Sequence, residues 1–250
     1  MLRRALFDRG PAADAAHAVE DDFRWRGEGV SRLENLSDIV FAFALSFLVA
    51  TTDAPEDFAQ LQAALVGFVP LAFCFALLLL VWHSHYTFFR RYGLEDRRTV
   101  GLNAVLLFLI LLFVYPLRFI ARLQTEVLLG RFETARDLAA VLSLDQISSL
   151  QLVYSGGYAA VFAVFALLYR HAGQRHRQLD LSPVERVLTA ERVAIASVHV
   201  GVGLAAIGLA FLLPVVWTPF SWCVYFLIWP LLVVVRRPYR RRYRELTLGD

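Results

Sequence analysis

Lysine is absent from this chain of 250 residues, so all 25 of its basic side chains are arginine, a bias that suggests a GC-rich genome. Methionine occurs once and cysteine twice. Cys74 and Cys223 are too few for a disulfide framework, and both fall within apolar runs, so two buried, reduced thiols are expected. Charged residues make up only 19% of the sequence, against 58% apolar, and the mean hydropathy is +0.54. Soluble domains use about 45–50% apolar residues, so the composition selects a membrane class. The sequence also lacks the alternating segments of about ten residues that build a transmembrane β-barrel. It has no glycine-rich phosphate loop, no Gly-x-Ser-x-Gly elbow and no His-Glu-x-x-His helix, so no enzyme class has a motif behind it and no cofactor is expected.

What is present is a series of long, nearly uncharged runs. A helix needs about 20 apolar residues to cross a hydrocarbon core about 30 Å thick. The runs predict six transmembrane helices, at Leu36–Ala50, Leu61–Trp82, Val100–Phe119, Leu152–Tyr169, Arg192–Leu213 and Trp217–Val235. The expected fold is an all-α membrane bundle, with a polar tail over residues 1–31, a helical domain over 32–236 and a basic tail over 237–250. Met1 to Ser31 carries acids among its arginines and does not resemble a cleavable signal, so the first apolar run is expected to be a true span.

Arginine placement orients the bundle, because cytoplasmic loops are enriched in basic residues. Counting the N-tail, the second and fourth connections and the C-tail gives 21 arginines on one side. Only Arg118, Arg122, Arg131 and Arg136 fall on the other. Both termini are therefore expected in the cytosol, and the net charge of +3 is explained by topology, without a nucleic-acid partner. Residues 121–150 mix Leu and Val with Glu126, Glu133, Asp137 and Asp145, a pattern for short amphipathic pieces on the outer surface. Arg236–Arg244 is a basic cluster suited to an anionic inner leaflet, foremost as a stop-transfer anchor.

The first helix is the shortest and most polar. Ser37 and Asp38 either cap its N-terminus or lie inside the bundle, bonded to polar groups of neighbouring helices. Trp82, His83 and His85 near the end of the second helix, with Asp96 and Asn103 near the start of the third, supply the partners for the second arrangement. His83 and His85, two residues apart on a helix, point in different directions, so no metal site is expected. Further along, Phe43, Phe47 and Ala50 share a face, with Ser46 adjacent. That face either packs on the second or third helix or lines a pore, where hydrophobic constrictions gate by dewetting.

The string Arg32-x-Glu34-x-x-Ser37-Asp38-x-Val40-Phe41-Ala42-x-Ala44 resembles the signature of the transmembrane protein 175 family, the lysosomal and prokaryotic potassium channels. Trp82, His85, Phe89, Asp96, Asn103 and Pro116 resemble a second block of that family's pattern, so the likeness covers residues 32–119. The resemblance implies a homotetramer of six-helix subunits in a prokaryotic cell membrane, with potassium ions, membrane lipid and further copies of itself as its partners. It implies a hydrophobic constriction at Phe43, Phe47 and Ala50 with a hydroxyl layer at Ser46, and a structural network of Arg32, Ser37, Asp38, Trp82, His85 and Asn103 at the cytosolic end. Leu36 and Ile39 depart from the motif's Phe and Gly, and phenylalanine stands at 43 and 47 where smaller aliphatic residues are usual. Two other functions fit a six-span protein: a proton-coupled carrier using Asp38 and the intramembrane His199, and a non-conducting membrane scaffold.

Overall fold

The computed structural model describes residues 23–27, 29–49, 55–130, 144–213 and 223–248. They form six helices: α1 (Arg32–Val49), α2 (Phe58–Tyr92), α3 (Arg97–Leu128), α4 (Leu144–Gln174), α5 (Pro183–Leu212) and α6 (Ile228–Leu248). Most run beyond the apolar stretches read from the sequence, because polar helix ends outside a hydrocarbon layer still satisfy their own backbone hydrogen bonds. The basic tail is helical too, as the last three turns of α6. Helices α2 to α5 each contain a segment long and apolar enough to cross a membrane. Helix α1 has 18 residues with Arg32, Glu34 and Asp38 in its first two turns, and α6 turns basic halfway along. Neither therefore meets that standard over its described residues.

Packing divides the helices into two groups. Helices α1, α2 and α3 contact one another, α4, α5 and α6 form a second stack, and α3 against α4 joins the two. Gly157 of α4 makes that seam possible, because the ring of Phe113 from α3 occupies the space a Cβ would take. Helix α4 is the most enclosed of the membrane-spanning segments and α2 the most open. One aromatic core, with Phe88, Phe89, Tyr92 and Tyr169, lies where the C-terminal ends of α2 and α4 meet.

The helix ends at this pole are closed by local chemistry. Ser31 caps α1: its hydroxyl accepts the Glu34 N–H, and the Glu34 carboxylate accepts the Ser31 N–H. Ser182 and Glu185 repeat the device at α5, with Pro183 in the first turn. Helix α2 ends at Gly93, whose φ of 56° is a left-handed conformation that glycine adopts without strain. Residues 23–27 cross over this turn as a strap. The backbone N–H groups of Arg26 and Gly27 donate to the Arg90 carbonyl, and Phe23 is buried against Tyr92. The Arg26 guanidinium forks onto both Glu185 oxygens at 2.8 and 2.7 Å, a buried ion pair that ties the strap to α5.

The same pole holds Asp96, which accepts hydrogen bonds from Thr99 and His171 and pairs with Arg175 at 2.9 Å, fastening the start of α3 to the end of α4. Burial pushes the Asp96 carboxyl up, but the Thr99 and His171 bonds outweigh it and hold it below the usual carboxylate range.

Candidate pore helix and its polar anchor

Helix α1 has two faces with opposite character. Glu34, Ser37, Phe41, Ala44 and Leu48 recur at helical spacing and are buried against α2 and α3. Leu36, Ile39, Phe43 and Val49 are exposed along another side of the helix, with Ser46 between them. Ile39 is 66% exposed and Phe43 60%.

The buried face is fastened by hydrogen bonds. Asn103 of α3 is fully buried and donates through its side-chain N–H to the Ser37 hydroxyl at 2.9 Å. Its amide oxygen meets His85 Nε2 of α2 at 2.9 Å. The Ser37 hydroxyl in turn donates to the Leu33 carbonyl at 2.8 Å. Ser37, Asn103 and His85 thus link α1, α3 and α2 in sequence, each buried polar group meeting a partner. His85 is further wedged between Phe41 and Phe89. One turn along and nearer the surface, the Trp82 indole N–H donates to the Asp38 carboxylate at 2.8 Å.

Of the six residues expected in this network, five are brought together. Arg32 is exposed and makes no side-chain hydrogen bond or ion pair with the described residues. Because Ser31 and Glu34 cap α1, the helix begins about a turn earlier than its apolar run, and Ser37 and Asp38 sit inside it as interior residues. The capping role considered for them is thereby corrected. The signal was in the sequence, since Ser31-x-x-Glu34 has the capping-box pattern.

Of the expected constriction, Phe43 and Ser46 lie on the uncovered face. Phe47 is partly buried: its ring stacks on Phe43 at 6.1 Å, tilts onto Tyr115 of α3 at 5.0 Å and lies beneath the Arg118 guanidinium. Ala50 lies outside the described residues. Ile39 stands one turn before Phe43 on the open face, a position the spacing identifies once Phe43 is placed there.

The other candidates are placed differently. His83 is exposed and His85 buried. His199 lies between α4 and α5, its ring stacked on Phe162 at 4.1 Å and its Nδ1 hydrogen-bonded to the Tyr158 hydroxyl. Cys74 is buried as expected, whereas Cys223 is exposed, because the helical stretch leading into α6 turns it outward. Of the segment 121–150, residues 131–143 lie outside the described residues, while 121–128 continue α3 and 144–150 begin α4.

The motif that builds the α1 anchor coincides with a known family. The model of TMEM175, described as an endosomal/lysosomal potassium channel, matches residues 32–113. A potassium channel of Marivirga tractuosa is 34% identical over 236 residues, covering 91% of this chain and 95% of that protein. The chain belongs to the TMEM175 family. A second relative, the potassium channel Cha6605_3372 of Chamaesiphon minutus, is 30% identical over 156 residues, 59% of this chain and 68% of that protein. Among solved structures, a variant of the potassium channel MtTMEM175, in complex with a nanobody–MBP fusion protein, superposes with a TM-score of 0.78 at 34% identity. That match covers 88% of this chain and 97% of the other. A lysosomal potassium-selective TMEM175 homologue from Chamaesiphon minutus shares the fold at a TM-score of 0.51 and 20% identity, covering 83% of this chain and 96% of that one. The chain is thus an integral membrane protein of a potassium-channel family, a class that is not enzymatic, and its described residues form an all-helical bundle.

Proposed function

We propose that this chain is the subunit of a homotetrameric potassium-selective channel, in which the uncovered face of α1 lines the ion path and Phe43 forms a hydrophobic constriction. The observation that carries this reading is the contrast between the two faces of α1. One is locked to α2 and α3 by buried hydrogen bonds, so the helix cannot roll freely to hide the other. Lipid is a poor neighbour for the open face, because Asn35, Asp38 and Ser46 are exposed on or beside it and ionisable groups at membrane depth avoid hydrocarbon. A single helix cannot enclose a path, whereas a closed ring of identical subunits can. The family and the names of its relatives supply the ion.

In this reading the arginine-rich pole is cytosolic, residues 1–31 and 237–250 flank the channel domain, and the Ser37–Asn103–His85 and Asp38–Trp82 bonds hold α1 at the cytosolic end. Ser46 offers hydroxyls one turn beyond Phe43, and Phe47, resting on Tyr115 of α3, buttresses Phe43. The proton-carrier alternative rests on His199, which is stacked and hydrogen-bonded in the α4–α5 interface, well away from α1.

The test is oligomer mass together with ion flux. Purified protein in detergent should weigh four chains of 28.3 kDa, and liposomes containing it should pass potassium with an ohmic, cation-selective current. A monomer, or flux that saturates and follows a proton gradient, would remove the channel reading.

A further inference from the structure

The end of α6 lies along the start of α5, and a cleft of about 320 Å³ opens between them. Its floor is apolar, made by Val187, Ala190 and Leu246, and its polar groups are Arg186, Arg242 and Tyr239. A second concavity shares Arg242 and adds Arg237 and Arg241, with Glu245 at its edge. Among the described residues none of these four guanidiniums has an ion-pair partner, whereas nearby Arg26 and Arg175 are committed to Glu185 and Asp96, and Arg236 faces Glu191. The site therefore combines two uncompensated cations, a phenol and a greasy floor within one groove.

Depth in the membrane narrows what such a groove can hold. The apolar run of the last span ends at Val235, and Tyr239 and Arg242 follow it by about 6 and 10 Å along a helix rising 1.5 Å per residue. The polar headgroup layer adds roughly 5–8 Å beyond each side of the hydrocarbon core. Tyr239 thus sits within the headgroup layer and Arg242 just beyond it, close enough for a long guanidinium side chain to reach back to a phosphate whose glycerol and acyl carbons lie on an apolar surface.

We propose that this α5–α6 cleft is a binding site for an anionic phospholipid of the arginine-side leaflet, its phosphate held by Arg186 and Arg242 and its apolar part resting on Val187 and Ala190. The site requires only that the protein spans a membrane, and it stands or falls independently of conduction. It differs from general attraction of a basic tail to an acidic surface because it depends on position within the tail. Arg240 and Arg244 belong to the same helix and carry the same charge, yet they line neither concavity.

The experiment is native mass spectrometry of the full-length protein in detergent, titrated with dioctanoyl-phosphatidylglycerol, dioctanoyl-phosphatidylcholine or inorganic phosphate. Phosphatidylglycerol should add one equivalent per subunit with clear preference over phosphatidylcholine, and inorganic phosphate should not compete at equal concentration. The double substitution R186Q/R242Q should weaken binding roughly tenfold or more. Ala190→Trp, which fills the floor without changing charge, should weaken it as well. R240Q/R244Q should leave it within about twofold, and all these changes lie at exposed positions, so unchanged lipid-free melting temperatures would verify the fold. Equal losses for the two double variants would reduce the effect to tail charge and overturn the site. Equal competition by inorganic phosphate, or full binding to Ala190→Trp, would overturn the assignment to lipid.

Discussion

The two faces of α1 differ in what decides their chemistry. The buried face is specified inside one subunit: Ser37, Asn103 and His85 satisfy one another, and Phe41, Ala44 and Leu48 fill the space between α2 and α3. The open face, with Ile39, Phe43 and Ser46, has no such partner among the described residues of the subunit. A helix built in this way keeps a fixed orientation toward whatever it faces, as a pore-lining element must. Substitutions on the first face should therefore act on the fold of each subunit, and substitutions on the second on assembly and flux.

The largest effect is expected at the centre of the buried face. Asn103→Leu leaves His85 Nε2 without its partner and the Ser37 hydroxyl with only the Leu33 carbonyl, and an unsatisfied buried group costs about 1–3 kcal/mol. The variant should lose several degrees of melting temperature, whereas Ile39→Ala on the open face should alter the stability of the isolated subunit little. Similar losses for both would erase the contrast between the faces.

An intermediate effect is expected at Asp96, which ties the α1–α3 group to α4. Its folded carboxyl titrates below the free value of about 3.9, so the stability it adds is fully present above that value and is lost as pH falls through the folded one. Asp96→Asn should melt lower than wild type near neutral pH, and the gap should close on acidification below about pH 4. A gap that widened in acid would reverse the sign and remove the Asp96–His171–Arg175 cluster as a stabilising link.

The smallest stability effect belongs to the edge of the network. Asp38 is exposed, so Trp82→Phe, which keeps most of the ring and removes the indole N–H, should cost only about 0.5–1.5 kcal/mol. A loss as large as that of Asn103→Leu would show that Asp38 is enclosed in the assembled protein.

The helix order and the partners of α1 were legible in the sequence for a physical reason. Long apolar runs announce spans, and Trp82, His85 and Asn103 are polar groups in apolar surroundings that require acceptors or donors. The Ser31 and Ser182 caps were equally legible as Ser-x-x-Glu, but they lie outside the hydrophobic runs that draw attention to α1 and α5. The strap was hidden for another reason: Phe23, Arg24 and Arg26 find their partners Tyr92 and Glu185 far along the chain, and no local periodicity records such a contact. Phe43 and Phe47 illustrate a related limit. Their spacing puts them on one side of α1, but only the position of α3 separates a ring lying on Tyr115 from a ring facing outward.

Phe43→Ala tests the central claim most directly, with potassium flux into liposomes and melting temperature measured on the same preparation. If Phe43 projects into a shared ion path, its removal widens an apolar constriction and touches no subunit core, so flux should rise while stability stays within about 0.5 kcal/mol of wild type. If the ring is a packing element, its loss leaves a cavity of the kind that costs about 3–5 kcal/mol in well-packed cores. Lost stability with unchanged flux would contradict the assignment of the open face of α1 to the pore.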